Sequence, residues 1–259
     1  MRIQIFSADQ QGVGAFDGGN FIEQRAISFP REKTAVDRVG PLFYWAWGHA
    51  TDVAEIGMHP HKAFEIVTYV IEGLVEHRDS LGSLETVTDG GAQVIQAGSG
   101  VSHAEAFRTA GTEGMQIWFE PHLSQSVKKP ATYNQYEHAQ FPVVQQDGVT
   151  VKSVIGGEAP IQLDTDANMF DWILEPGASF TYSLHPKRQL AFLAIRGQGS
   201  SEAAADGNGP QAISHKDFVV VQNDKQADEI LLLKADDAQG LRIIAIEVPV
   251  DPGYALYHK

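Results

Sequence analysis

The sequence predicts an all-β protein whose short strands form a sandwich or a barrel. Glycine accounts for 25 of the 259 residues, which favours a chain with many tight turns. Apolar, β-branched runs such as Phe64–Ile71 are followed at once by turn sequences such as Glu72-Gly73. No apolar run approaches the roughly 20 residues that a membrane-spanning helix needs, so a membrane protein is not expected.

Strand candidates follow one another along the first half of the chain. Met1–Phe6 alternates weakly between apolar and polar residues, and Leu42–Trp47 is a short aromatic strand candidate. Between residues 57 and 120, short strands alternate with turns at the even spacing typical of a sandwich or barrel. The strands predicted there are Phe64–Ile71, Leu74–Arg78, Ala92–Gln96, Val101–Phe107 and Met115–Phe119.

Residues 121–142 differ from the rest because they are polar, contain prolines and show no apolar periodicity. This composition predicts a connection between two domains, with room for one short helix. We therefore expect an N-terminal domain over residues 1–135 and a C-terminal domain over residues 136–259.

The charge balance and the lack of cysteine exclude several classes of function. The formal net charge of −14 repels phosphate backbones, so direct binding to nucleic acid is not expected. The absence of cysteine rules out disulfides, thiolate metal sites and cysteine nucleophiles. The N-terminus becomes polar at Ser7 to Asp9, too early for a signal peptide, so we expect a cytoplasmic protein.

Two short motifs carry metal-binding chemistry. His59-Pro60-His61 and His103-Ala104-Glu105 each place two metal-competent side chains two residues apart. Because residues i and i+2 of a β-strand point to the same face, each pair can converge on one point. Three imidazoles and one carboxylate suit a divalent first-row metal such as iron, nickel, manganese or cobalt.

A weak internal repeat links the two halves of the chain. Residues 184–197 resemble residues 60–73, and aligning Gly197 with Gly73 sets His185 opposite His61. The residues opposite the other three candidate ligands are Ser183, Asp228 and Ile230. The repeat therefore predicts a C-terminal domain that keeps the strand plan and lacks the metal chemistry.

The stretch from His59 to Gly82, and Ala97 to Glu105 after it, closely resemble the two signature motifs of the pirin family. The resemblance extends over residues 40–120 and implies a bicupin, in which two cupin β-barrels pack face to face. It also implies metal in the N-terminal barrel only, bound by His59, His61, His103 and Glu105. Pirins use the glutamate of the second motif, so Glu65 is placed outside the ligand set.

The remaining candidate residues receive ordinary structural interpretations. Seven histidines are expected to be exposed or satisfied within the fold: His49, His77, His122, His138, His185, His215 and His258. Glu65 and Glu76 are expected to be solvated or structural, with a hydrogen bond to the N–H group of a metal-bound imidazole as the alternative for each. Four aromatic residues are expected to be core, with a substrate pocket as the alternative: Trp45, Trp47, Trp118 and Phe119.

The pirin resemblance implies two functions of different classes. The first, which we favour, is a quercetin 2,3-dioxygenase-like enzyme that opens flavonols with O2, with Glu105 as the base for the flavonol 3-hydroxyl. Its cofactor would be one divalent transition metal, with Fe(II) the first choice and Ni(II), Mn(II) and Co(II) the alternatives. The second is a metal-binding, redox-sensing regulator that binds a protein partner such as a transcription factor or a metabolic enzyme.

Overall fold

The computed structural model describes residues 1–204 and 209–258, most of which lie in β-strands. The strands up to residue 140 are β1 (Arg2–Phe6), β2 (Gly12–Phe16), β3 (Phe21–Ile27), β4 (Leu42–Ala50), β5 (Ala54–His61), β6 (Glu65–Glu72), β7 (Leu74–Asp79), β8 (Leu84–Thr88), β9 (Ala92–Gln96), β10 (Val101–Phe107), β11 (Glu113–Phe119) and β12 (Thr132–Tyr136). The later strands are β13 (Val143–Gln146), β14 (Val149–Ile155), β15 (Asn168–Leu174), β16 (Ser179–Leu184), β17 (Arg188–Gly197), β18 (Gly199–Ala203), β19 (Gln211–Ile213), β20 (Phe218–Gln222), β21 (Glu229–Ala235) and β22 (Leu241–Pro249). The predicted all-β class is confirmed.

Helical structure is confined to short segments. Within the described ranges the structure has one α-helix, α1 (Leu123–Ser126), in the polar stretch where one short helix was expected. Single 3₁₀ turns lie at Ala8–Gln10, Asp17–Gly19 and His138–Gln140. Across the described residues, no helix is long and apolar enough to cross a membrane.

The chain divides into two compact units. The N-terminal unit comprises residues 11–141 with 163–165 and 253–258, and the C-terminal unit comprises residues 1–10, 142–162 and 166–252. The last segment of the N-terminal unit is held at Glu120, whose backbone carbonyl accepts a hydrogen bond from the Tyr254 hydroxyl at 2.7 Å. The Tyr257 N–H donates to Glu120 Oε1 at 2.5 Å.

The N-terminal unit is built from two antiparallel sheets. The seven-stranded sheet has the order β12-β9-β6-β11-β4-β3-β2, and the four-stranded sheet has the order β5-β10-β7-β8. Two apolar clusters with residues from both sheets lie in its interior. One contains Ile66, Ile95, Ala97 and Val101, and the other contains Phe21, Ala50, Ala54, Val70, Val75, Val87 and Phe107. Since Thr68 stands between Ile66 and Val70 on alternate residues of β6, a polar layer separates the two clusters.

The C-terminal unit repeats this arrangement. Its seven-stranded sheet has the order β1-β20-β17-β22-β15-β14-β13, and its four-stranded sheet has the order β16-β21-β18-β19. One continuous apolar cluster fills the interior, with alternate residues of β17 and β21 at its centre. These residues are Leu190, Phe192, Ala194, Leu231, Leu233 and Ala235. The unit therefore has a packed core at the level where the N-terminal unit is polar.

One strand is absent from the sequence prediction, and another pairs within the C-terminal unit. The composition of residues 121–142 predicts a polar connection, yet Thr132–Tyr136 forms β12 and pairs with β9. Sequence patterning missed it because an edge strand with polar side chains lacks the apolar alternation that identifies half-buried strands. Met1–Phe6 forms the predicted strand, and its partner is Phe218–Gln222 of the C-terminal unit.

Candidate metal centre

Antiparallel pairing of β5 and β10 brings the two motifs together. His103 stands opposite His59, and Val101 stands opposite His61. The register shifts between His103 and Glu105 through a β-bulge, so the strands stay paired beyond the motif. The i, i+2 spacing in each motif places the side chains on one face, as the sequence predicted.

The three histidines form one compact cluster. The nitrogen atoms that His59, His61 and His103 can offer to an ion all lie within 4.8 Å of one another. The ring centroids are 4.8 Å apart for His59 and His61, 4.4 Å for His59 and His103, and 4.9 Å for His61 and His103. His103 is fully buried and the other two rings are partly exposed, so the cluster opens on the side of β5.

The ring nitrogens of the cluster fit a metal ion. In the described part of the chain, His61 Nε2 and both ring nitrogens of His103 are buried without a hydrogen-bond partner. Leaving a buried polar group unpaired costs about 1–3 kcal/mol, and a bound cation removes that cost. His59 Nδ1 lies 2.8 Å from the Gly57 carbonyl, which orients the ring and leaves Nε2 as the nitrogen available to an ion.

The environment keeps the imidazoles of His61 and His103 neutral. Burial lowers the pKa of His61 to about 3, and His103 and His59 act in the same direction while Glu105 opposes them. Burial also lowers the pKa of His103 to about 3, with His59 and His77 adding to the effect. Neutral imidazole is the form that binds metal, so both rings are ready to act as ligands at neutral pH.

Glu105, the fourth predicted ligand, lies two residues further along β10 and is buried. Its Oε1 accepts hydrogen bonds from Thr68 Oγ1 at 2.9 Å and from Gln93 Nε2 at 2.7 Å. Its Oε2 accepts one from Gln116 Nε2 at 2.8 Å. The structure thus groups the three predicted histidine ligands and places the carboxylate in the polar layer beside them, where its metal role stays a prediction.

His77 was expected to be an ordinary structural histidine, but it lies beside the cluster. Its ring is fully buried, with Nε2 at 2.9 Å from Asp79 Oδ2. It stacks flat on Tyr133, with centroids 4.1 Å apart and an interplanar angle of 11°, and lies 5.4 Å from the His103 ring. The available signal was the spacing of His77 and Asp79, which repeats the i, i+2 pattern of the ligand motifs on β7.

An aromatic and aliphatic wall borders the cluster. The edge of Trp118 meets the His61 ring with centroids 5.0 Å apart and planes at 80°. Trp118 also packs with Ile66, Ile95 and Val101. The other aromatic residues expected in the core, Trp45, Trp47 and Phe119, are buried. Alternation along β11 was the signal for Trp118, since it shares the inward face with Gln116.

The two glutamates considered as imidazole partners have other roles. The buried Glu65 carboxylate accepts hydrogen bonds from Gln96 Nε2 at 2.7 Å and from the Asp164 N–H at 2.7 Å. It also accepts from the N–H and the hydroxyl of Thr165, at 3.0 and 2.6 Å, which ties residues 163–165 to β6. Glu76 forms an exposed ion pair with Arg108 at 2.5 Å.

In the C-terminal unit, the residues that the sequence alignment set opposite the ligands lie at the surface. His185 Nδ1 is 2.9 Å from Asp228 Oδ1, and the two side chains are 65% and 51% exposed. Ser183 is exposed on β16. These side chains therefore do not occupy the interior that corresponds to the histidine cluster.

Comparison with known proteins matches this stretch of the chain to one family. The family model described as Pirin matches residues 35–119. A Zymomonas mobilis protein, provisionally named as a quercetin 2,3-dioxygenase, is 36% identical over 191 residues, covering 71% of this chain and 78% of that protein. Pirin-like protein 2 of Arabidopsis thaliana is 31% identical over 59% of this chain, and the match spans about half of the plant protein, 49% of its length.

A solved structure shows the same fold. The bacterial pirin YhhW of Escherichia coli, crystallised in complex with nickel(II), superposes with a TM-score of 0.76. The superposition covers 96% of this chain and 99% of that one, at 22% sequence identity. The likeness therefore extends over both units, beyond the stretch matched by the family model.

Proposed function

The chain belongs to the pirin family, and on that premise we propose that it is a metal-dependent dioxygenase that cleaves flavonols with O2. The observation that carries the proposal is the cluster of three histidines, in which His61 and His103 have buried ring nitrogens without a hydrogen-bond partner. The 36% identity to a protein provisionally named as a quercetin 2,3-dioxygenase supports this choice of reaction.

His59, His61 and His103 would hold the metal, with Glu105 as the fourth ligand. This donor set of three nitrogens and one oxygen suits Fe(II), which we propose as the native ion, and is also compatible with Ni(II), Mn(II) and Co(II). When bound, such an ion supplies Lewis acidity toward an oxygen of the substrate. With one carboxylate in the donor set, a divalent ion would leave the site a net charge of about +1, which would favour an anionic flavonolate.

The side chains around the cluster would orient the substrate and accept its proton. Glu105 is the carboxylate next to the histidines, and it is proposed as the base that takes the proton of the flavonol 3-hydroxyl. Trp118, with Ile66, Ile95 and Val101, would pack against a planar aromatic ligand and exclude water from the reacting atoms.

The test is flavonol turnover by metal-loaded protein in air, followed by quercetin absorbance and O2 consumption. We expect the wild type to consume quercetin and Glu105→Ala to lose that activity while its circular dichroism is unchanged. His185→Ala, which changes an exposed histidine of the C-terminal unit, is the matched control and should keep full activity. Turnover no faster than that of the free metal ion would reject the enzyme and leave the metal-binding regulator as the remaining hypothesis.

A further inference from the structure

The carboxylate of Glu105 is bound on both oxygens by neutral donors from three strands of the opposite sheet. The donors are Thr68 on β6, Gln93 on β9 and Gln116 on β11, at 2.9, 2.7 and 2.8 Å. Hydrogen bonds to an ionised carboxylate are shorter and stronger than those between neutral groups. The three donors therefore hold Glu105 from the side of the seven-stranded sheet.

The donors hold one another as well as Glu105. Gln93 Nε2 also donates to Thr68 Oγ1 at 3.1 Å, and Gln93 Oε1 accepts from the Tyr133 hydroxyl at 3.2 Å. The single hydroxyl proton of Thr68 is assigned to the shorter contact, with Glu105 at 2.9 Å, and Gln116 Oε1 lies 3.2 Å from the same hydroxyl. Gln93 and Gln116 each direct the NH2 group toward Glu105, because an amide oxygen cannot donate to a carboxylate.

The count of bonds leaves Glu105 one position open. A carboxylate has about four lone-pair directions, and three of them accept hydrogen bonds here. Oε1 accepts two of these bonds and Oε2 accepts one. The direction still free lies on Oε2, and rotation of the carboxylate to present Oε1 would break all three bonds.

We infer that Thr68, Gln93 and Gln116 are positioning residues that fix Glu105 in one orientation, so that it acts through Oε2 alone. This inference rests on the proposed function, in which Glu105 belongs to the metal site. It makes the two roles proposed for Glu105 compete, because ligation and proton transfer would use the same oxygen, Oε2, which also accepts a hydrogen bond from Gln116. Gln116 is therefore the donor whose loss should change the site most.

The test compares two glutamines that make the same kind of bond. Gln116 donates to the buried Glu105 at 2.8 Å, and Gln96, which is partly buried like Gln116, donates to the buried Glu65 at 2.7 Å. Gln116→Met and Gln96→Met each replace one amide with an apolar side chain of similar size. The probe is Co(II), titrated into metal-free protein and followed by its visible absorption bands.

We expect Gln116→Met to bind Co(II) about 10–100-fold more weakly than the wild type, the usual loss when a group that orients a ligand is removed. Its absorption bands should also shift, which a loss of stability alone would not cause. Gln96→Met should keep the wild-type affinity and spectrum. Thr68→Val, which keeps the shape of the side chain, should weaken Co(II) binding less, because Gln93 still donates to Oε1.

Equal affinities and spectra for Gln116→Met, Thr68→Val and the wild type would overturn the inference and make the polar layer purely structural. This readout needs no turnover. A wild type that binds Co(II) but does not consume quercetin would therefore reject the proposed dioxygenase activity. The Co(II) titrations would still test the orientation of Glu105.

Discussion

The two units have the same strand order and different interiors. Within each four-stranded sheet, the second strand of the order sends alternate residues inward. On β10 these are Val101, His103, Glu105 and Phe107, and on β21 they include Leu231, Leu233 and Ala235. The strand in this position thus supplies a histidine and a carboxylate in the N-terminal unit, and the strand in the same position supplies leucines in the C-terminal unit.

The same contrast holds for pairs across the strands. β5 and β10 pair His59 with His103, whereas β16 and β21, which have the same places in the strand order, pair Tyr182 with Leu231. In the larger sheets, β6 and β9 pair Thr68 with Gln93, whereas β17 and β20 pair Phe192 with Val219. The backbone plan is therefore compatible with either a polar site or a packed core, and a few inward side chains decide which one is present.

The polar interior is tolerated because its members satisfy one another. Glu105 accepts from three donors, the amides of Gln93 and Gln116 and the hydroxyl of Thr68. At the site, the buried side-chain atoms of the described chain that have no hydrogen-bond partner are ring nitrogens of His61, His77 and His103 and the Nε1 atom of Trp118. A group of neighbouring buried polar atoms without partners is expected at a functional site.

The largest expected effect on the difference between the two units comes from removing the histidine cluster. We expect wild-type protein to carry a transition metal near stoichiometry and His59→Ala/His103→Ala to carry none, because two of three grouped donors are lost. Elemental analysis after purification measures this. His185→Ala should keep its metal. A wild type that is purified without metal and does not bind iron, nickel, manganese or cobalt on titration would show that the cluster is not a metal site.

A second test concerns the packed interior. Phe192 is fully buried at the centre of the C-terminal cluster, so Phe192→Ala should lower the free energy of unfolding by about 3–5 kcal/mol. Urea denaturation followed by circular dichroism measures the change. Val144→Ala, at a side chain 63% exposed in the same unit, should change it by less than about 0.5 kcal/mol. Similar small changes for both variants would mean that the C-terminal interior is not tightly packed.

The ligand motifs and the strand pattern were readable from sequence because they depend on local spacing. His59-Pro60-His61 and His103-Ala104-Glu105 needed only the two-residue period of a strand, and Phe64–Ile71 needed only its β-branched apolar run.

The residues of the C-terminal unit that correspond to the ligands were harder to predict. The alignment on Gly73 and Gly197 sets His185 opposite His61, and the structure shows that His185 is exposed while its neighbour Leu184 is buried. Successive residues of a strand point to opposite faces, so a linear alignment does not by itself say which counterpart faces the interior.

The residues around Glu105 were missed for a different reason. Thr68, Gln93 and Gln116 come from three separate strands, and nothing in the local sequence says that their side chains converge. A glutamine inside an apolar strand is the available signal, since a buried amide requires a partner. Identifying that partner as Glu105 requires the tertiary structure.

The smallest expected effect belongs to the exposed counterpart of the site. The hydrogen bond from Asp228 and its negative charge raise the pKa of His185 above its ordinary value. A histidine whose pKa is raised by folding stabilises the protein fully below its unfolded pKa, and that contribution is lost as the pH rises through the folded value. His185→Gln should therefore lose stability relative to the wild type at pH 5.5 and match it at pH 8. Because the pair is exposed, the loss of stability should stay below about 1 kcal/mol.

Urea titrations at the two pH values measure this loss, with Asp228→Asn as the control that should remove the same pH dependence. A difference that persists unchanged at pH 8 would show that His185 acts through packing, and would assign a structural role to the position that corresponds to His61 only in the linear alignment.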